Sequence, residues 1–167
     1  MQGGAASATP RLSARGVRVA LIVARFNADI TARLRDGAHA LLREAGADAT
    51  AIEQFDVPGA FEIPLAARAA AASGRFDAVV CLGCLIRGAT PHFEYISSAV
   101  SHGLMQLSAD SRLPIAFGVL TTNTHDEAME RAVDGPDNKG REAALAALEM
   151  VHVLRAIATP PAPTVRA

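Results

Sequence analysis

At 167 residues, half of them hydrophobic and one fifth charged, the chain is long enough for one domain with a full core. A net charge of −1 excludes a general basic field drawing it to nucleic acid or membranes, and no apolar stretch approaches the roughly 18–20 residues that cross a bilayer. Two cysteines, Cys81 and Cys84, exclude a disulfide framework, so a reducing cytoplasm is the expected location.

In chain order, residues 1–15 carry Gly, Ala and Ser without the apolar segment of a secretory signal and are expected to be a flexible tail. Residues 17–24 form a near-continuous apolar run, a strand. Residues 28–45 show helical spacing, with Ile30, Leu34, Ala38, Leu41 and Leu42 on one face and Gly46 as the stop. A strand is expected over 50–57 and an alanine-rich helix over 63–72, ended by Gly74. Residues 77–82 are the third strand, closed by a glycine-punctuated turn. A helix over 91–107 follows, with Thr90 as its N-cap and Pro91 as its first residue. Then come a strand over 115–120, a short helix over 124–132 and a long one over 139–157. Residues 159–167 are a second expected tail, leaving one domain over 16–158. Apolar strands alternating with helices predict a parallel sheet covered on both faces. Ligands of such sheets bind at the carboxyl ends of the strands, here residues 25–27, 57–62, 83–90 and 120–124.

The stretch from Cys81 to Tyr95 carries the most chemistry. A strand tip feeding a helix start offers free backbone N–H groups and the positive end of a helix dipole, which suits an anion. Gly83 to Thr90 reads G-x-x-x-x-G-A-T. It misses the lysine of a nucleotide-binding loop, so a single phosphate fits better than a triphosphate. A plain strand-to-helix turn with a threonine cap remains the alternative. No G-x-G-x-x-G follows the first strand, which argues against a dinucleotide site. His92, just inside the helix, can move protons near neutral pH. The other four histidines have no second metal ligand at useful spacing. Cys81 and Cys84 have C-x-x-C spacing, but residues three apart on a strand point to opposite faces, which favours buried, inert thiols. Phe26, Phe61 and Phe117 lie near strand ends and suit a flat ring ligand. Arg131 and Lys139, the only lysine, could hold phosphate, although locally a solvated helix–helix connection is the favoured reading of both.

Taken together, G-A-F-E-I-P at 59–64, L-G-x-x-I-R-G-A-T-x-H-F-E-Y at 82–95, F-G-V-L-T at 117–121 and E-R-A-(x)5-N-K-G at 130–140 resemble the lumazine synthase family of riboflavin biosynthesis. The resemblance runs from Arg18 to about Ile157. It implies a flavodoxin-like α/β/α sandwich around a four-stranded parallel sheet. It implies condensation of 5-amino-6-(ribitylamino)uracil with 3,4-dihydroxy-2-butanone 4-phosphate, with no cofactor and no metal.

By position, the resemblance gives His92 proton transfer. It gives Phe26, Ala60, Phe61, Glu62, Cys84, Leu85, Ile86 and Phe117 the ribitylaminouracil, and Ala89, Thr90 and Arg131 the phosphate. Lys139 lies near the same shared site. Sites lie between subunits of a ring of five, Phe117 and Arg131 coming from the neighbour. Larger assemblies of pentamers and an association with riboflavin synthase are further partners the resemblance admits. Two departures stand out. Position 84 is Cys where the family often has Thr. Residues 133–137 read V-D-G-P-D where many capsid-forming relatives have G-x-K-x-G. The competing classes are a non-catalytic lumazine or flavin binder, a shell protein, and a lyase using Lys139 as a Schiff-base amine.

Overall fold

The computed structural model describes residues 12–160. Four parallel strands, β1 (Val19–Ala24), β2 (Ile52–Val57), β3 (Ala78–Ile86) and β4 (Ile115–Thr122), form one sheet in the order β2-β1-β3-β4. Among the described residues five α-helices connect and cover them: α1 (Ala28–Glu44), α2 (Ile63–Ala72), α3 (His92–Ser111), α4 (His125–Arg131) and α5 (Lys139–Ala158).

Strand alternation sorts the core into two halves. Val19, Leu21, Val23, Val80, Leu82 and Cys84 pack with Ile30, Leu34, Ala38 and Leu42 of α1 and with Ala144, Leu148 and Val151 of α5. Ala20, Ile22, Val79, Cys81 and Val119 pack with Ile63 and Ala67 of α2 and with Val100, Leu104 and Leu107 of α3. This is the expected three-layer α/β/α sandwich. The two cysteines fall in opposite halves, both buried, as their spacing on one strand requires.

The close approach of α1 and α5 depends on two glycines. A Cβ on Gly140 would lie 1.9 Å from the Leu34 carbonyl oxygen, and one on Gly37 2.2 Å from Asn138 Oδ1. Between them Asn138 is 1% exposed. Its amide donates to the carbonyls of Arg33, Ala132 and Val133, and its Oδ1 accepts from the N–H groups of Gly140 and Arg141. It therefore caps α5 and binds α1 to the α4–α5 connection.

Several boundaries differ from the expectation. β3 does not stop at Leu82 but continues to Ile86. Gly83 is a packing glycine rather than a turn glycine: a Cβ there would meet Ile63 Cδ1 at 3.0 Å and Val119 Cγ1 at 3.4 Å. α3 begins at His92, with Pro91 as its N-cap and no side-chain cap, so Thr90 does not cap it. The Pro91 carbonyl accepts the first helical bond, from Tyr95 N–H at 3.3 Å. A 3-10 turn over Ala49–Ala51 precedes β2. Of the two expected tails, residues 1–11 and 161–167 lie outside the described residues. Within the first, Ala14 is buried and its N–H donates to the Ala45 carbonyl at 2.9 Å. No helix among the described residues is long and apolar enough to cross a membrane.

Candidate active site

The strand order reverses between β1 and β3: the chain leaves β1 toward β2 and returns to β3 on the other side. A crevice opens at the carboxyl ends of strands flanking such a switch point. In this fold it is a cavity of about 550 Å³.

Its walls come from three strand ends. Phe26 follows β1. Gly59, Ala60, Phe61 and Glu62 follow β2. Cys84, Leu85, Ile86, Gly88, Thr90, His92, Phe93 and Ile96 run from the end of β3 into α3. The aromatic rings stand open, Phe26 at 69% and Phe61 at 60% exposure, so each offers an apolar face to a ligand. Glu62 is held in place: its Oε2 accepts from the Gly59 N–H at 2.9 Å.

The backbone of β3 is available because this strand outruns its neighbour. Its pairing with β1 ends at Leu82 opposite Val23, while its pairing with β4 runs on to Ile86 opposite Thr122. Successive residues of a parallel strand address opposite neighbours. Ala78 N–H donates to Arg18 on the β1 side, whereas Val79 and Arg87 N–H donate to Pro114 and Thr122 on the β4 side. Leu85 therefore turns toward β4, and Cys84 and Ile86 toward the β1 side. The Cys84 carbonyl accepts from Asn27 Nδ2 at 3.0 Å. Ile86, one alternation further on, has its N–H and C=O on the β1 side beyond the end of that pairing, and it lines the cavity.

At the other end of the cavity, Gly88 and Thr90 lead into the start of α3, where first-turn N–H groups lack helical partners. His92 opens the helix, exposed and lining the cavity. Cys84 lines the same space, but burial pushes its thiol up to about 11, with the charge of Asp29 adding to the effect. Burial pushes Cys81 up further still. Neither is a nucleophile at neutral pH.

Nine of the residues singled out from sequence thus line one cavity: Phe26, Ala60, Phe61, Glu62, Cys84, Leu85, Ile86, Thr90 and His92. Ala89 sits in the same loop without lining it. Phe117, Arg131 and Lys139 do not line it either. Phe117 lies on β4 and lines a second, apolar hollow of about 690 Å³ with Met105, Leu113, Met150 and Leu154. Arg131 is exposed at the end of α4, its Nη1 donating to the Glu127 carbonyl at 2.7 Å. Lys139 pairs with Glu142, Nζ to Oε2 at 2.7 Å. Phe93 and Ile96 also line the cavity, although no motif gave either a role. His92 and Ile96 are four apart, so a shared face of α3 was the available signal.

The family model of 6,7-dimethyl-8-ribityllumazine synthase matches residues 16–155. A 6,7-dimethyl-8-ribityllumazine synthase of Syntrophus aciditrophicus (strain SB) is 53% identical over 147 residues, which cover 88% of this chain and 96% of that protein.

Proposed function

The chain belongs to the 6,7-dimethyl-8-ribityllumazine synthase family, and from that premise we propose how its cavity carries out the family's reaction. The enzyme condenses 5-amino-6-(ribitylamino)uracil with 3,4-dihydroxy-2-butanone 4-phosphate to give 6,7-dimethyl-8-ribityllumazine, phosphate and water. The observation that carries the assignment of residues is the convergence of two open phenylalanine rings, a strand end that has outrun β1 and a histidine-bearing helix start on one cavity.

In this reading the pyrimidine lies against Phe26, with the Ile86 backbone reading its polar edge. Glu62, fixed by Gly59, takes ribityl hydroxyls. The phosphate sits at Ala89 and Thr90, at the start of α3. The substrate amine attacks the ketone, and loss of water gives an imine. Phosphate then leaves by elimination, and ring closure releases a second water. Each step moves a proton, and His92 is positioned to serve several of them. Holding both reactants in one cavity supplies much of the remaining acceleration.

Arg131 and Phe117 act on the cavity of an adjacent subunit in a ring of five, with Lys139 close to the same shared site. Their position away from their own chain's cavity supports this. The apolar hollow that Phe117 lines offers a surface for the adjoining copy. The same reading makes the protein a cytoplasmic enzyme that can associate with riboflavin synthase.

The test is turnover of purified protein, following lumazine absorbance and phosphate release together. Equal yields are expected. His92→Ala should lower kcat about 10²-fold with little change in KM, and Arg131→Ala should mainly raise KM for the phosphorylated substrate. Mixing the two impaired variants under conditions that exchange subunits, assayed with the phosphorylated substrate below the KM of Arg131→Ala, should raise the rate above the sum of the two, because some sites regain both residues. No recovery would refute the shared site, and wild-type rates in both variants would refute the assignments.

A further inference from the structure

Arg87 lies between two cavity-lining residues, Ile86 and Gly88, without lining the cavity itself. Its backbone N–H is fixed to β4 through the Thr122 carbonyl at 2.9 Å. Its side chain reaches three other points. Nε donates to Asn123 Oδ1 at 3.0 Å, Nη1 pairs with the Glu94 carboxylate, and the guanidinium lies 4.5 Å from the centre of the Phe93 ring. Asn123 is in turn tied to α4, its N–H donating to Glu127 Oε2 at 2.8 Å.

The places it joins are the ones catalysis needs held. α3 begins without a side-chain cap, and the loop before it contains Gly88, so little else local fixes the direction of its first turn. Phe93 and Glu94 immediately follow His92. A planar guanidinium that bonds along two directions and stacks on a ring defines an orientation that a point charge cannot. The arginine and glutamate are both half-exposed, so the pair adds little to global stability. What it supplies is geometry.

On the reading that His92 transfers protons in this cavity, we propose that Arg87 is a positioning residue. Its fork on Asn123 and Glu94 and its stack on Phe93 set the first turn of α3, and with it His92, against the β3 and β4 strand ends.

The test uses the intact enzyme, with wild-type turnover measured first, so that failure of the enzyme assignment is seen separately. Arg87→Met and Arg87→Lys should both lower kcat by about ten- to a hundredfold, the cost of a misplaced catalytic group. KM for the phosphorylated substrate should change by less than about threefold and the melting temperature should stay near wild type, in line with a weak surface pair. Glu94→Gln should show a smaller loss of the same kind, and Arg87→Met combined with Glu94→Gln should lose no more than Arg87→Met alone. Full rescue by Arg87→Lys, with a raised KM in Arg87→Met, would mean a direct charge contact with phosphate and would overturn the proposal. Additive losses, or wild-type kcat in Glu94→Gln and Arg87→Met, would also overturn it. If Arg87→Met is unstable, Asn123→Ala cuts one arm of the fork and must lower kcat in the same way.

Discussion

The side-chain amide of Asn27 donates to the main-chain carbonyl of Cys84 at 3.0 Å, stitching the end of β1 to the part of β3 that outruns it. Asn27 does this from a left-handed backbone conformation, φ 57 and ψ 50, which asparagine tolerates better than most residues. The turn into α1 and the cavity wall are thus made by one residue.

Two substitutions separate these roles. Asn27→Gly loses only the hydrogen bond and should cost about 1 kcal/mol. Asn27→Ala loses the bond and also the polar side chain that lets asparagine tolerate the left-handed region better than alanine, for about 2 kcal/mol in all. Urea unfolding of both variants checks this. Equal midpoints would mean that the backbone conformation carries no cost.

The α1–α5 contact should be the least forgiving part of the fold. Asn138→Ala leaves three carbonyls and two N–H groups without their partner, an expected loss of about 3 kcal/mol. Gly140→Ala drives a methyl into the Leu34 backbone, which a side-chain rotation cannot relieve, and should cost at least about 3 kcal/mol. Denaturant midpoints decide the matter. A near-neutral Gly140→Ala would require α1 and α5 to separate without penalty.

The cysteines should be silent in the native protein. With its thiol pushed up to about 11, Cys84 is ionised in roughly one molecule in a thousand at pH 8, and Cys81 less. A colourimetric thiol reagent at pH 8 should find almost nothing in the folded protein and both thiols after guanidinium unfolding. Rapid reaction of Cys84 in the native state would contradict the burial of its thiol.

Asp29 at the start of α1 and His125 at the start of α4 lie 2.6 Å apart, Oδ2 to Nε2. The hydrogen bond from His125, opposed in part by desolvation, holds the Asp29 carboxyl below its ordinary 3.8. A depressed carboxylate contributes stability above its unfolded pKa and loses it as pH falls through the folded value. The stability gap between wild type and His125→Ala should therefore be present above about pH 4 and close in more acidic solution. Both groups are more than half exposed, so the gap should stay below about 1 kcal/mol. Carboxyl NMR titration should show Asp29 rising toward its ordinary value in the variant, and an unchanged Asp29 would remove the effect.

The layering of this protein was legible in its residues. Helical spacing of Ile30, Leu34, Ala38 and Leu42 predicted the face of α1 that is buried, and the α2 boundaries at Ile63 and Ala72 agree with the pattern. Cys81 and Cys84 fell on opposite faces because strand geometry is local. The cluster of strand-end residues followed as well, since a parallel sheet presents its carboxyl ends together. Gly83 could not be read this way. Locally a glycine after an apolar run signals a turn, and only the approach of Ile63 and Val119 makes it an interior strand residue. Arg87, Asn27 and Asn138 are ordinary polar residues in sequence. Their roles depend on partners 57 residues away for Asn27, 36 for Arg87 and 105 for Asn138. Periodicity and motifs are set by neighbours within a few residues of one another, so the sequence alone determined the order and type of the elements and which connections meet at the carboxyl edge of the sheet. Long-range hydrogen bonds and close backbone contacts exist only once the layers have packed, and these decided how far β3 runs, how α1 meets α5 and what holds the first turn of α3.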